Sequence, residues 1–240
     1  GNIESVAEWA DCEKFYKYDL AILFETIEHV VNPAALLDKV ERVAKHVAIT
    51  TPFLAWEQGN TNWSKRELKG HLRIFDLVDI EMLLGQRGTI HNLYRQPWGE
   101  TGWIFADYTV GTQLTGHIQI VCPGGLEPWG PIKLASEGLG GSETAAIRLA
   151  ESFADQGRLV SVCNQIDSPG YFNKVRYRPV EQFHPMVKSD VTIAWRYPEL
   201  ADADVKTDQL VLWMHDVDAG DRLTPERAAR FDKIVVLTEW

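Results

Sequence analysis

The chain has 240 residues, 45% of them hydrophobic and 24% charged, which is enough apolar material for a packed core. Its formal net charge is −10, shared by both halves, and this argues against a nucleic-acid or anionic-membrane partner, because phosphates are held by clustered Lys and Arg. The three cysteines, Cys12, Cys122 and Cys163, form no C-x-x-C pair, and no apolar run nears the ~20 residues of a membrane span. A disulfide framework, a cysteine zinc site and a membrane span are therefore not expected, and a cytoplasmic setting is.

Strands and helices alternate along the chain, the pattern of a mostly parallel sheet covered by helices. Residues 18–24 (YDLAILF) read as a buried strand. Asn32 then offers an N-cap oxygen and Pro33 a first helical position, with Leu36, Leu37, Val40, Val43 and Ala44 on one face. Residues 46–51 form the next strand, stopped by Pro52, and the polar stretch 55–70 reads as a loop. Asp76 caps a second helix carrying Val78, Met82, Leu83 and Leu84, and strands are expected at 90–94 and 103–108. A short link at 111–116 separates two pieces, 1–112 and 113–240.

In the second piece residues 117–122 form a strand, followed by a loop rich in Pro and Gly. A helix from Ser142 to about Gln156 carries Ala146, Ile147, Ala150, Phe153 and Ala154 inward and is closed by Gly157. Further short strands are expected at 159–164, 191–195, 209–214 and 233–237, with a helix start at Thr224-Pro225-Glu226. The fold class is α/β, with two Rossmann-like, doubly wound pieces in series, both read as incomplete.

Glu28-His29 after the first strand, the helix after Asn32, Thr51-Pro52, and His71-Leu72-Arg73 before Phe75-Asp76 together resemble the second half of a class I S-adenosylmethionine-dependent methyltransferase. The resemblance implies that Asp11 lies near an adenine. The family's Gly-rich cofactor turn has no counterpart in this sequence, so S-adenosylmethionine is expected to bind weakly or not at all. Glu25 and His29 would share a face of a helix, but H-E-x-x-H order is absent and no third ligand is evident, so no metal site is expected.

Gly138-Leu139-Gly140-Gly141-Ser142-Glu143 opens a helix after a strand, and His215-Asp216 follows another strand. This order resembles the N-terminal Rossmann-like domain of a GT-B type glycosyltransferase. The resemblance implies a nucleotide-sugar donor whose diphosphate meets Gly140, Gly141, Ser142 and Glu143, with His215 and Asp216 near a carbohydrate hydroxyl. Glycines there let the backbone approach a phosphate or adopt positive φ, and the helix dipole favours the anion. Trp129, Trp195 and Trp213 could stack on sugars, although such apolar tryptophans are more often core.

The leading expectation is therefore a fragment of a bifunctional transferase, inactive alone, with glycosyl transfer as the main activity. The alternatives are a methyltransferase and a non-catalytic scaffold. Self-association through an exposed sheet edge is expected, because an unpaired apolar edge recruits another chain.

Overall fold

The computed structural model describes residues 18–53, 71–73, 75–98, 101–111, 114–125, 127–215 and 220–236. The chain divides into two compact units, Gly1–Gln113 and Leu114–Trp240. Each is a mixed α/β assembly; among the described residues, pairings are mostly parallel over the two units together, as in Rossmann-like folds, although the first unit has one parallel and two antiparallel pairings.

In the first unit β1 (Tyr18–Phe24) pairs in parallel with β2 (Ala44–Pro52). Between them lies α1 (Pro33–Val43), whose start is fixed by Asn32: its side-chain oxygen accepts from the Ala35 N–H at 3.1 Å. Leu36, Leu37, Val40 and Val43 are buried, each contributing roughly 1.5–3 kcal/mol relative to exposure. The helix passes into β2 at Ala44 with no loop, two residues earlier than the sequence suggests. β4 (Thr101–Val110) runs antiparallel to β2, and β3 (Gly88–Trp98) antiparallel to β4.

α2 (Leu77–Gly85) begins with a capping box in which Asp76 and Asp79 each accept from the other's backbone N–H. Of the apolar residues expected along it, only some face inward. Ile80 and Leu84 are fully buried, whereas Val78 and Met82 are 59% and 70% exposed. Ile80 and Leu84 are one turn apart, and Val78 and Met82 form the parallel stripe rotated away from the sheet.

In the second unit the strands lie side by side in the order Gly170–Phe172, Val175–Pro179, Leu159–Asn164, His117–Cys122, Ser189–Trp195, Thr207–Trp213 and Lys233–Val235. β5 (His117–Cys122), β6 (Leu159–Asn164), β9 (Ser189–Trp195), β10 (Thr207–Trp213) and β11 (Lys233–Val235) are parallel. The hairpin of β7 (Gly170–Phe172) and β8 (Val175–Pro179) was not foreseen. Its turn is Asn173-Lys174, with φ of +50° and +67°, so it lacks the usual Asn-Gly signal. β8 lies parallel to β6, and its Arg residues masked its alternation.

α3 (Pro131–Ser136) and α4 (Gly141–Asp155) follow β5, and the short α5 (Pro225–Ala228) starts at Thr224, whose hydroxyl accepts from the Arg227 N–H. α4 buries Ala146, Ile147, Ala150 and Ala154. Gly157 ends it at φ +82°, where a side chain would be strained. One core cluster joins Val121, Ala194, Leu200, Leu210, Leu212 and Met214. Among the described residues, no helix is long and apolar enough to cross a membrane.

Candidate functional site

β1 ends at Phe24, and Glu25 follows with φ +47°, a left-handed turn uncommon outside glycine. Glu25 is held there by Thr50 at the end of β2. The Glu25 N–H donates to the Thr50 carbonyl at 3.0 Å, and the Thr50 hydroxyl donates to Glu25 Oε1 at 3.1 Å. The chain then makes a 3-10 turn, Ile27–His29, with Ile27 and Glu28 buried beneath it. This turn replaces the helix that would have put Glu25 and His29 on one face.

The segment at 71–76 is docked onto this turn by its backbone. Leu72 and Arg73 N–H groups both donate to the Glu28 carbonyl, at 2.7 and 3.1 Å, and the Arg73 guanidinium donates to the Val31 carbonyl. An isolated parallel bridge between Phe53 and Phe75 continues the alignment beyond β2. These bonds bring His71 to His29, with ring centroids 4.7 Å apart in an edge-to-face arrangement.

Glu28, His29 and His71 therefore converge, each with one ligand atom within 4.8 Å of the others'. The Glu28 side chain is 1% exposed, and at hydrogen-bonding geometry neither carboxylate oxygen has a partner among the described residues. The His29 Nε2 lies 3.8 Å from Glu28 Oε1 and is 43% exposed, so one side of the cluster faces solvent. Burial pushes the Glu28 pKa up, and the charge of Glu25 adds to that. Its own backbone amide, His29 and Thr51 offset part of the effect. His71 is the member that sequence reasoning missed. The signal was present, because the His71-Leu72-Arg73 segment had been aligned with the family pattern, but only the fold shows what it faces.

Beside this edge a cavity of about 500 Å³ is lined by Asn32, Pro33, Leu72, Arg73, Asp79 and Leu83 among others. Ligands of open α/β sheets bind outside the carboxyl ends of the strands, and the cluster lies at the carboxyl end of β1.

The residues expected to form a site in the second unit have a different character. Gly140 is the N-cap of α4 with φ −60° and ψ 158°, so no left-handed conformation is required of it. Gly141 has nothing within 4 Å of where a Cβ would lie, and a Cβ on Gly140 would meet only the flexible Glu143 carboxylate. Ser142 and Glu143 occupy the first turn, and Glu143 is near enough to the buried Cys122, at the end of β5, to help raise its pKa. His215 lies against Trp213 and Trp195, with centroids 4.4 and 5.6 Å away. Trp129 and Trp195 are buried against each other and are core rather than sugar platforms. Asp11 and Asp216 lie outside the described residues. A cavity of about 220 Å³ in this unit is lined by residues 128–133, 136–137 and 166–168 with Phe172, and not by Gly140, Gly141, Ser142 or Glu143.

Residues 2–89 match the family model described as a methyltransferase domain. No curated protein matches the chain. Among solved structures, the N-terminal domain of EvdMO1 with SAH bound is 17% identical, over 46% of this chain and 52% of that one, with a TM-score of 0.33. The same domain in the presence of SAH and D-fucose gives 17% identity, over 46% of this chain and 53% of that one, also with a TM-score of 0.33. The chain spans about half the length of these two.

The family match corrects three expectations. Methyl transfer takes the place of glycosyl transfer as the activity to which the sequence points. The expected nucleotide-sugar and carbohydrate partners find no support in the match, and the expectation that S-adenosylmethionine binds weakly or not at all runs against it. That expectation rested on the missing Gly-rich turn, which is one element of a cofactor site, whereas the family pattern runs through residues 2–89. Over those residues, which include β1, α1, β2 and α2, the chain is methyltransferase-like.

Proposed function

We propose that the first unit binds S-adenosylmethionine and supports transfer of its methyl group to an acceptor at the carboxyl ends of β1 and β2. The match of residues 2–89 to a methyltransferase domain carries this reading. The polar cluster at that strand edge supports it, since buried polar groups without partners cost stability and gather where ligands bind.

On this reading the Asp11 carboxylate accepts from the adenine amino group, and the acceptor lies near Glu28, His29 and His71. The acceptor's lone pair forms a bond to the methyl carbon while the carbon–sulfur bond breaks. The bonding pair moves to sulfur, giving the neutral thioether, and the acceptor's proton leaves to water or a neighbouring base. Holding the acceptor in line with the sulfur is the main task of such a site.

Calorimetric titration with S-adenosylmethionine and S-adenosylhomocysteine tests the reading. Saturable binding of either, weakened about tenfold or more in Asp11→Ala, is the expected result. Failure of both to bind at millimolar concentration would overturn it.

A further inference from the structure

We infer that Glu28, His29 and His71 form a binding site for a first-row divalent metal ion such as zinc. The donor set is two imidazoles and one carboxylate, the combination that suits zinc, manganese, iron or cobalt(II) better than magnesium or calcium, which prefer all-oxygen shells. The donor atoms already lie within 4.8 Å of one another. Ligands about 2.0–2.2 Å from a shared zinc ion in tetrahedral geometry stand roughly 3.3–3.6 Å apart, so small side-chain rotations close the site.

The second observation is Glu28 itself. A carboxyl side chain that is 1% exposed, with neither oxygen in a hydrogen bond of ordinary geometry among the described residues, is costly unless something else is bound there. A cation there supplies a partner for the carboxylate. The backbone is arranged for the purpose: Leu72 and Arg73 are tied to the Glu28 carbonyl, which fixes His71 beside His29 across more than 40 intervening residues.

A second histidine pair in the unit, His46 and His91, is accounted for differently. Both rings hydrogen-bond the Thr109 hydroxyl, at 2.9 and 2.6 Å, and no carboxylate joins them in a cluster among the described residues. Three protein ligands leave at least one coordination position open, and His29 faces solvent, so water or a ligand oxygen can complete the shell.

The test is calorimetric titration of the chelator-treated chain with zinc chloride, backed by the visible absorption of the cobalt(II) form. One equivalent of zinc is expected to bind, and His29→Ala and His71→Ala are each expected to weaken it at least about 100-fold, since even second-shell changes cost 10–100-fold. His184→Ala, an exposed histidine elsewhere, is expected to leave binding unchanged. Circular dichroism checks that the variants are folded. The half-exposed His29 is the safer position should His71→Ala disturb the docked segment. No zinc binding, or binding unaltered in a folded His29→Ala, would overturn the inference. The readout is independent of methyl transfer, so a failure of the methyltransferase reading leaves it standing, and the reverse also holds.

Discussion

Replacing Glu28 by Met separates a ligand-binding role from a structural one by the sign of its effect. Neither Glu28 carboxylate oxygen makes a hydrogen bond of ordinary geometry among the described residues, and leaving one buried polar group unsatisfied costs about 1–3 kcal/mol. Met has nearly the same shape and no such requirement. What it loses is the 3.8 Å approach to His29, which is 43% exposed and therefore worth at most about 1 kcal/mol. The net expectation is that Glu28→Met stabilises the first unit by about 1–2 kcal/mol in the presence of a chelator, or roughly 5–10 °C in its transition. Scanning calorimetry with and without zinc is the assay. Wild type should gain stability with zinc, by about 2.7 kcal/mol at a hundredfold excess over Kd, and the variant should gain none. A Glu28→Met chain less stable than wild type in chelator would refute the reasoning, because the carboxylate would then have a structural partner.

Three further perturbations test the account of the fold. Arg87 donates to Asp38 at 2.7 Å, Glu41 at 3.0 Å and the Ala34 carbonyl at 3.2 Å, with its side chain 16% exposed. Arg87→Ala leaves Glu41 largely buried with only the Tyr108 hydroxyl, and should cost about 2–3 kcal/mol in urea unfolding. Gly88 and Gly141 should behave oppositely. A Cβ at Gly88 would lie 1.9 Å from the Thr109 carbonyl oxygen, so Gly88→Ala should destabilise by about 1–3 kcal/mol, whereas Gly141→Ala, in open space, should be neutral or gain up to about 1 kcal/mol. Thermal unfolding of the two variants side by side decides this.

His117 supplies a pH dependence. Burial lowers its pKa, Arg178 and Arg176 add to that, and the Lys188 carbonyl and Asp190 offset part of it. Its ring also lies against the Ser161 hydroxyl at 2.9 Å. A folded-state pKa below the unfolded value of about 6.5 means the unfolded chain binds more protons there, so the second unit should lose stability as the pH falls below about 6.5. His117→Asn should flatten that part of the profile, and an unchanged slope would remove His117 as its source.

Local chemistry was enough to read most of the elements from the sequence. Asn32-Pro33, Asp76 and Thr224-Pro225 each begin a helix because a side-chain oxygen satisfies an otherwise orphaned N–H, and all three caps are found in the structure. The apolar runs of β5 and β6 also required nothing beyond period and composition. β1 forms where it was expected but is not the buried strand its composition suggests: Leu23 is buried, whereas Tyr18, Leu20, Ile22 and Phe24 are about half exposed. The hairpin at 170–179 was not legible, because an Asn-Lys turn and alternating arginines carry no strand signal. Nor was the buried stripe of α2: Val78, Ile80, Met82 and Leu84 are similarly apolar, and only the packing decides which pair turns inward.

The site divides in the same way. The sequence alone determined that Glu28 and His29 follow a strand in a methyltransferase-like order, since adjacent residues are brought together by the chain itself. That His71 joins them was decided by tertiary structure, through two backbone hydrogen bonds to one carbonyl, and no spacing rule encodes a contact made across more than 40 residues that include a helix and a strand. The same holds for the charge state of Glu28, because desolvation depends on what surrounds a carboxylate and not on its neighbours in sequence.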